Sequence, residues 1–107
     1  MKRYRVEYTT IFTKQLQELF DYIVFQYQNP YDALRLVNAI RKKCKGLELF
    51  PKGGVAHMSV NDKDFRFIHV GNHTIIYLVD DKGQIVTIWG LFYSRRDIMR
   101  QIEESEG

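Results

Sequence analysis

Residues 64–92, DFRFIHVGNHTIIYLVDDKGQIVTIWGLF, decide the fold. Asp64 to Val70 reads as a strand, Gly71-Asn72 as a turn, and Thr74 to Val79 as a second strand. Asp80-Asp81-Lys82-Gly83 is another turn, and Gln84 to Phe92 a third strand. β-Branched and aromatic runs bounded by Gly, Asn and Asp mark a meander of antiparallel strands. Ile75-Ile76-Tyr77-Leu78-Val79 is apolar on both faces, and so is most of Ile85 to Phe92. Strands of that kind are covered on both sides.

Upstream lies what can cover one side. Lys2 to Tyr8 alternates, with Tyr4, Val6 and Tyr8 on one face, and predicts a half-buried strand. Thr9 and Thr10 then offer an N-cap. Phe12, Leu16, Leu19, Phe20, Ile23, Val24 and Tyr27 recur at helical spacing, which predicts a helix ending near Gln28-Asn29, before Pro30. Asn29 is a good N-cap and Pro30 suits the first helical position. Ala33, Val37, Ile40, Cys44 and Leu47 carry a second helix, closed by Phe50-Pro51, and Lys52-Gly53-Gly54 opens a loop. The short link makes the two helices a hairpin. It can cover one sheet face; a partner or the chain's own tail is needed for the other. After the last strand, Ser94-Arg95-Arg96-Asp97 matches a capping box, and Ile98, Met99 and Ile102 give a short C-terminal helix. The expected fold is α+β, ordered β-α-α-β-β-β-α. A four-stranded, antiparallel-rich sheet carries an N-terminal helical hairpin on one face and a short C-terminal helix.

The chain has 107 residues, so residues 1–107 form a single domain. Apolar residues make up 45% and charged residues 27%, which excludes a disordered chain. No run is long enough to span a bilayer, and the N-terminus lacks the apolar core of a secretory signal, so the expected location is cytoplasmic. Cys44, the one cysteine, sits in the apolar helical pattern and reads as core filler. His57, His69 and His73 do not have helical metal-ligand spacing, and no metal or cofactor is expected. Net charge is +3, with ten Lys/Arg against five Asp/Glu in residues 1–54 and six against eight thereafter. That balance permits a polyanionic partner without requiring one.

Candidate chemistry is concentrated in a few side chains. If Ser94 is a cap, Arg95 and Arg96 put two cations at the positive end of a helix dipole. They either pair with surface carboxylates or hold an anion, together with free backbone N–H groups. Arg66 faces away from its neighbours Phe65 and Phe67, toward solvent or toward a ligand. Tyr93 ends the last strand, as a rim tyrosine or a hydroxyl donor. Lys52 beside two glycines is either solvated or able to approach a phosphate. His57 is a bystander or a group that titrates near neutral pH. No Ser-His-Asp set or nucleotide-binding glycine loop is present.

The element order and the segment Arg66-Phe-Ile-His-Val-Gly-Asn-His-Thr-Ile-Ile-Tyr77 resemble the RelE/ParE toxin superfamily of type II toxin–antitoxin (plasmid-stabilisation) systems. Leu49-Phe50-Pro51, the Val79 to Gly83 turn and Tyr93-Ser-Arg-Arg-Asp97 agree with it. The resemblance implies a cognate antitoxin, acidic and partly disordered, that wraps the toxin near strand 74–92 and the C-terminal helix. It permits higher assembly through that antitoxin. It implies growth arrest, either by metal-independent mRNA cleavage on the ribosome or by ParE-like, non-enzymatic inhibition of DNA gyrase. A toxin-like module without activity is a third reading. For cleavage, Arg66 with Arg95 or Arg96 would hold the phosphate, His57 and Tyr93 would serve as base and acid, and Lys52 would steer the RNA backbone. Arg66 and Tyr77 match family positions. His73-Thr74 stands where the family carries Tyr-Arg, and Tyr93 where many nuclease members carry histidine.

Overall fold

In the computed structural model, which describes residues 3–54, 56–60 and 63–93, Thr9 ties the first helix to the sheet. The chain opens with β1 (Arg5–Tyr8), then α1 (Thr10–Tyr27) and α2 (Pro30–Gly46). The strands β2 (Ala56–Val60), β3 (Lys63–Val70), β4 (His73–Asp80) and β5 (Ile85–Phe92) follow. The Thr9 hydroxyl accepts from the Phe12 N–H at 3.0 Å, capping α1, and donates to the Trp89 carbonyl of β5 at 2.8 Å. Asn29 caps α2 as its sequence predicts, accepting from the N–H groups of Tyr31 and Asp32, with Pro30 in the first turn. The helix ends at Gly46, ahead of the expected stop at Phe50-Pro51, and turns carry the chain from there.

The sheet is ordered β1-β5-β4-β3-β2. β1 runs parallel to β5, and every other pairing is antiparallel. The four expected strands are all present. β2 adds a fifth at the far edge, where the sequence predicts a loop, in register with β3 from Ala56↔Phe67 to Val60↔Lys63. Its five residues carry too little pattern to predict a strand, and pairing with β3 makes it one. The C-terminal helix, its Ser94–Asp97 capping box, Arg95 and Arg96 lie outside the described residues.

Two apolar layers hold the sheet. Under the hairpin, Phe12, Leu16, Val37, Ile40 and Cys44 pack on Ile75, Tyr77, Val86, Ile88 and Leu91. On the opposite face, Phe65, Phe67, Ile76, Trp89 and Phe92 form a second buried cluster. Both faces of β4 and β5 are therefore buried within the chain itself. A register shift at Ile76/Tyr77 leaves Trp89 as an extra residue in β5, between the pairs Tyr77↔Ile88 and Ile76↔Gly90. Trp89 meets Phe65 edge-on at 5.6 Å and stacks on Phe92 at 6.4 Å. Gly90 must lack a side chain, because a Cβ there would run into the Phe92 ring.

Candidate functional site

Arg66 sits at the centre of the sequence-predicted site, and register decides where it points. It lies opposite Tyr77, which lies opposite Ile88, so all three share the hairpin side of the sheet. Arg66 is half-buried there rather than free on a solvated face. Its Nη1 donates to the carbonyls of Gly54 (3.2 Å) and Lys52 (3.4 Å), tying the Pro51–Gly54 loop to the sheet. The buried Tyr77 hydroxyl accepts from the Gly54 N–H at 2.9 Å. Burial pushes the Tyr77 phenol up, and the Gly54 N–H and nearby Arg66 offset part of that rise.

Lys52 is bonded as well. Its Nζ donates to Asp81 Oδ2 at 2.8 Å, while the Tyr4 hydroxyl donates to Asp81 Oδ1 at 2.8 Å. The hydrogen bond from Lys52, then that from Tyr4, holds the Asp81 carboxyl below the usual range. The same bond raises the Tyr4 phenol. Lys52 and Arg66 line a small pocket of about 210 Å³ with Asp64, Val79 and Asp81. Among the described residues, two cations face two carboxylates, so these side chains bring no net positive charge to the pocket. Sequence reasoning missed Asp81 and Tyr4. Asp81 read as a turn residue, and only the fold brings Lys52, 29 positions away, against it.

The remaining predicted groups divide. His57 pairs with Arg66 across β2 and β3. Tyr93 is exposed and, because Trp89 is an extra residue in β5, lies four register steps beyond the Tyr77↔Ile88 pair, roughly 13 Å along the sheet from the Arg66 level. Its neighbour is His73, whose ring meets it edge-on at 5.6 Å and whose pKa is lowered by burial. Arg66, in the middle of β3, and Tyr93, past the end of β5, are thus not brought together. Cys44 is buried, and burial pushes its thiol up to about 12, which makes it unreactive at neutral pH.

A second concavity is larger. A groove of about 620 Å³ runs between β1 and the two helices. Val6 and Tyr8 of β1, Phe12, Leu16 and Phe20 of α1, and Leu34 and Val37 of α2 line it. Arg41, Lys45 and Glu48 stand along its α2 side. β1 is an edge of the sheet, so its outer N–H and C=O groups are unpaired by any described strand. Single-sequence patterning reports which residues are apolar, and it does not show that these leave a trough when packed.

A five-stranded, mostly antiparallel sheet with an N-terminal helical hairpin, and Arg66 and Tyr77 both bonded to the Gly54 loop, defines a small α+β domain of the RelE/ParE kind. Residues 6–98 match the family described as the ParE toxin of the type II toxin-antitoxin system parDE, and the chain belongs to that family. Its fold is shared by the chromosomal ParDE system of P. aeruginosa, at TM-score 0.69 and 18% identity, covering 83% of this chain and 94% of that one. The RelBE2 toxin–antitoxin complex of Mycobacterium tuberculosis matches at TM-score 0.65 and 20% identity, covering 88% and 94%. The archaeal RelE–RelB complex of Pyrococcus horikoshii OT3 matches at 0.58 and 22%, covering 87% and 98%. No curated protein matches the chain significantly. Among the described residues, no helix is long and apolar enough to cross a membrane.

Proposed function

We propose that this toxin arrests growth by binding its target, DNA gyrase, rather than by cutting RNA. The observation that carries this reading is the state of the Arg66 pocket. Lys52 and Arg66 are bonded within the chain and balanced by Asp64 and Asp81. Phosphorane charge needs a cationic surplus with an acid and a base in reach. Here Tyr93, the proposed acid, is far along the sheet. The match to ParE toxins over residues 6–98 points the same way.

Induced expression with pulse labelling tests it, alongside a DNA supercoiling assay with purified gyrase. DNA synthesis should fail first, with mRNA intact and supercoiling inhibited. Early collapse of protein synthesis with mRNA fragments would instead favour cleavage. That second reading draws on the β2–β3 register alone, in which His57 is the pairing partner of Arg66. Under it, an Arg66→Ala variant loses cleavage. No growth defect at all would leave the inactive binding module.

The antitoxin's neutralising segment belongs in the groove along β1 and the hairpin. An apolar floor flanked by Arg41 and Lys45 suits an apolar segment with acidic residues, and the open edge of β1 can accept backbone pairing. In β4 and β5, where the family resemblance puts the antitoxin, Ile75, Ile76, Tyr77, Val86 and Ile88 are already buried within the chain.

A further inference from the structure

The helical hairpin divides by charge. Its tip, Tyr22 to Tyr31, holds no Lys, Arg, Asp or Glu. Residues 33–47, most of α2 and the start of the turn after it, hold five Lys/Arg and no Asp/Glu. That is +5 in fifteen residues of a chain that carries +3, so the other 92 residues sum to −2. Each residue of an α-helix turns by about 100°, which puts Arg35, Asn38, Arg41, Lys42 and Lys45 within an arc of about 120°. All five are exposed. Arg35 and Lys42 lie opposite the buried Ala33, Val37, Ile40 and Cys44, so they point straight out from the core. The helix itself does not account for this charge. Its macrodipole favours cations in the last turn, which covers Lys43 and Lys45 and leaves Arg35, Arg41 and Lys42. Arg41 and Lys42 each stand about a turn from Lys45, where like charges repel. Arg35 meets Asp32 at 3.6 Å, but no carboxylate among the described residues pairs with Arg41, Lys42 or Lys45.

We propose that this outer face of α2 binds the phosphate backbone of duplex DNA, without regard to base sequence. The charge calls for a polyanion. The side chains then decide which one. A protein partner needs an apolar or aromatic anchor at the centre of the contact, where Lys is depleted. Between Arg35 and Lys45 the arc offers no such anchor, and Leu34, just before it, turns into the groove. A single strand needs aromatic side chains on which its bases stack. Tyr31 is the one aromatic of α2, at its first turn and about 15 Å before Arg41. Duplex phosphates need only spaced cations and a neutral donor such as the Asn38 amide. From Arg35 to Lys45 the face runs about 15 Å, a length over which a duplex presents about nine phosphates, enough to engage all four cations. The choice of DNA over RNA rests on the gyrase reading, since DNA is what gyrase holds. Arg41 and Lys45 also border the antitoxin groove, whereas Arg35 and Lys42 line no part of it.

Fluorescence anisotropy of a labelled DNA duplex of about 20 base pairs, titrated with the full-length chain at stepped salt and without gyrase, tests this. At about 50 mM salt the wild type should bind with a Kd of about 10 µM or tighter, and log K should fall against log salt with a slope of about −3.6, for four cations. An Arg35→Gln, Lys42→Gln variant with native circular dichroism should bind at least about tenfold more weakly at that salt, with the slope reduced to about −1.8. Arg35→Lys, Lys42→Arg keeps the charge and should bind like the wild type. So should Lys63→Gln, Lys82→Gln, which removes the same charge from the start of β3 and the β4–β5 turn. A wild type that does not bind below about 100 µM overturns the proposal. An Arg35→Gln, Lys42→Gln variant that binds unchanged, or an equal loss in the Lys63→Gln, Lys82→Gln variant, overturns it too. Tighter binding of a single strand, or of duplex RNA of the same sequence, overturns the choice of occupant. If the Arg35→Gln, Lys42→Gln variant keeps DNA but loses antitoxin affinity, the face belongs to an acidic protein instead. Because gyrase is absent here, failure of this assay and failure of supercoiling inhibition are read separately.

Discussion

Gly54 has no room for a side chain. A Cβ there would lie 2.5 Å from the Phe67 carbonyl oxygen and 2.7 Å from the Tyr77 hydroxyl, both held by the sheet. Gly54→Ala must push the Pro51–Gly54 loop off β3 and break its bond to Tyr77. The expected loss is about 1–3 kcal/mol of unfolding free energy, read by denaturant titration. Tyr77→Phe removes only the acceptor and leaves the Gly54 N–H unpaired in a buried place, for a similar loss of about 1–3 kcal/mol. A Gly54→Ala chain as stable as the wild type would show that the loop is not clamped. His73 answers to pH. Burial lowers its pKa, so the unfolded chain takes up the proton first as pH falls. Its contribution is complete above the ordinary histidine value of about 6.5 and shrinks as pH drops below that toward the folded value. Over that window, His73→Gln should lose stability less steeply than the wild type in denaturation series at stepped pH.

The junction between β1 and α1 works as one element. β1 pairs with β5 only from Arg5↔Ile85 to Tyr8↔Ile88, which would leave the rest of that β5 edge unpaired. The entry to α1 completes it. The Thr9 N–H donates to the Ile88 carbonyl at 3.1 Å, its hydroxyl to the Trp89 carbonyl, and the Leu91 N–H donates to Gln15 Oε1 at 2.8 Å. Thr9→Ala removes a helix cap and a strand partner together, and should cost about 1–2 kcal/mol. Gln15→Leu leaves the Leu91 N–H without its acceptor, at about 1–3 kcal/mol. Thermal unfolding of both variants checks this, and additive losses would mean the two contacts act independently. Much at this scale was legible. Thr9 and Asn29-Pro30 marked the helix starts because capping is a local rule, and the 3.6-residue period showed both apolar faces. Parallel pairing of β1 with β5 was not legible, since those residues are about eighty positions apart and neither pattern names its partner. Trp89 shows a related limit: the bulge beside it breaks period two, which sequence alternation assumes.

At the scale of the whole molecule, the arrangement separates three surfaces: a groove along β1, an uncharged hairpin tip, and the sheet end bearing His73 and Tyr93. The apolar residues of each were visible in the sequence, but their grouping was not. Leu34 illustrates why. It flanks the second helix's core positions, and only the packed hairpin turns it into the groove, half-exposed, rather than into the core. That position lets neutralisation be separated from folding. Leu34→Asp puts a carboxylate into the trough where an acidic, apolar antitoxin segment is expected to seat. Substituting an exposed side chain should change stability by no more than about 0.5 kcal/mol. A buried like charge at an interface should weaken binding by several kcal/mol, a loss of a hundredfold or more at roughly 1.4 kcal/mol per decade. Co-expression with the cognate antitoxin should then fail to rescue growth, and calorimetric titration should register the lost affinity. Toxicity without antitoxin should persist where the target binds outside the groove. If Leu34→Asp is neutralised as well as the wild type, the antitoxin does not occupy the groove. Loss of toxicity along with neutralisation would mean that target and antitoxin compete for the same trough.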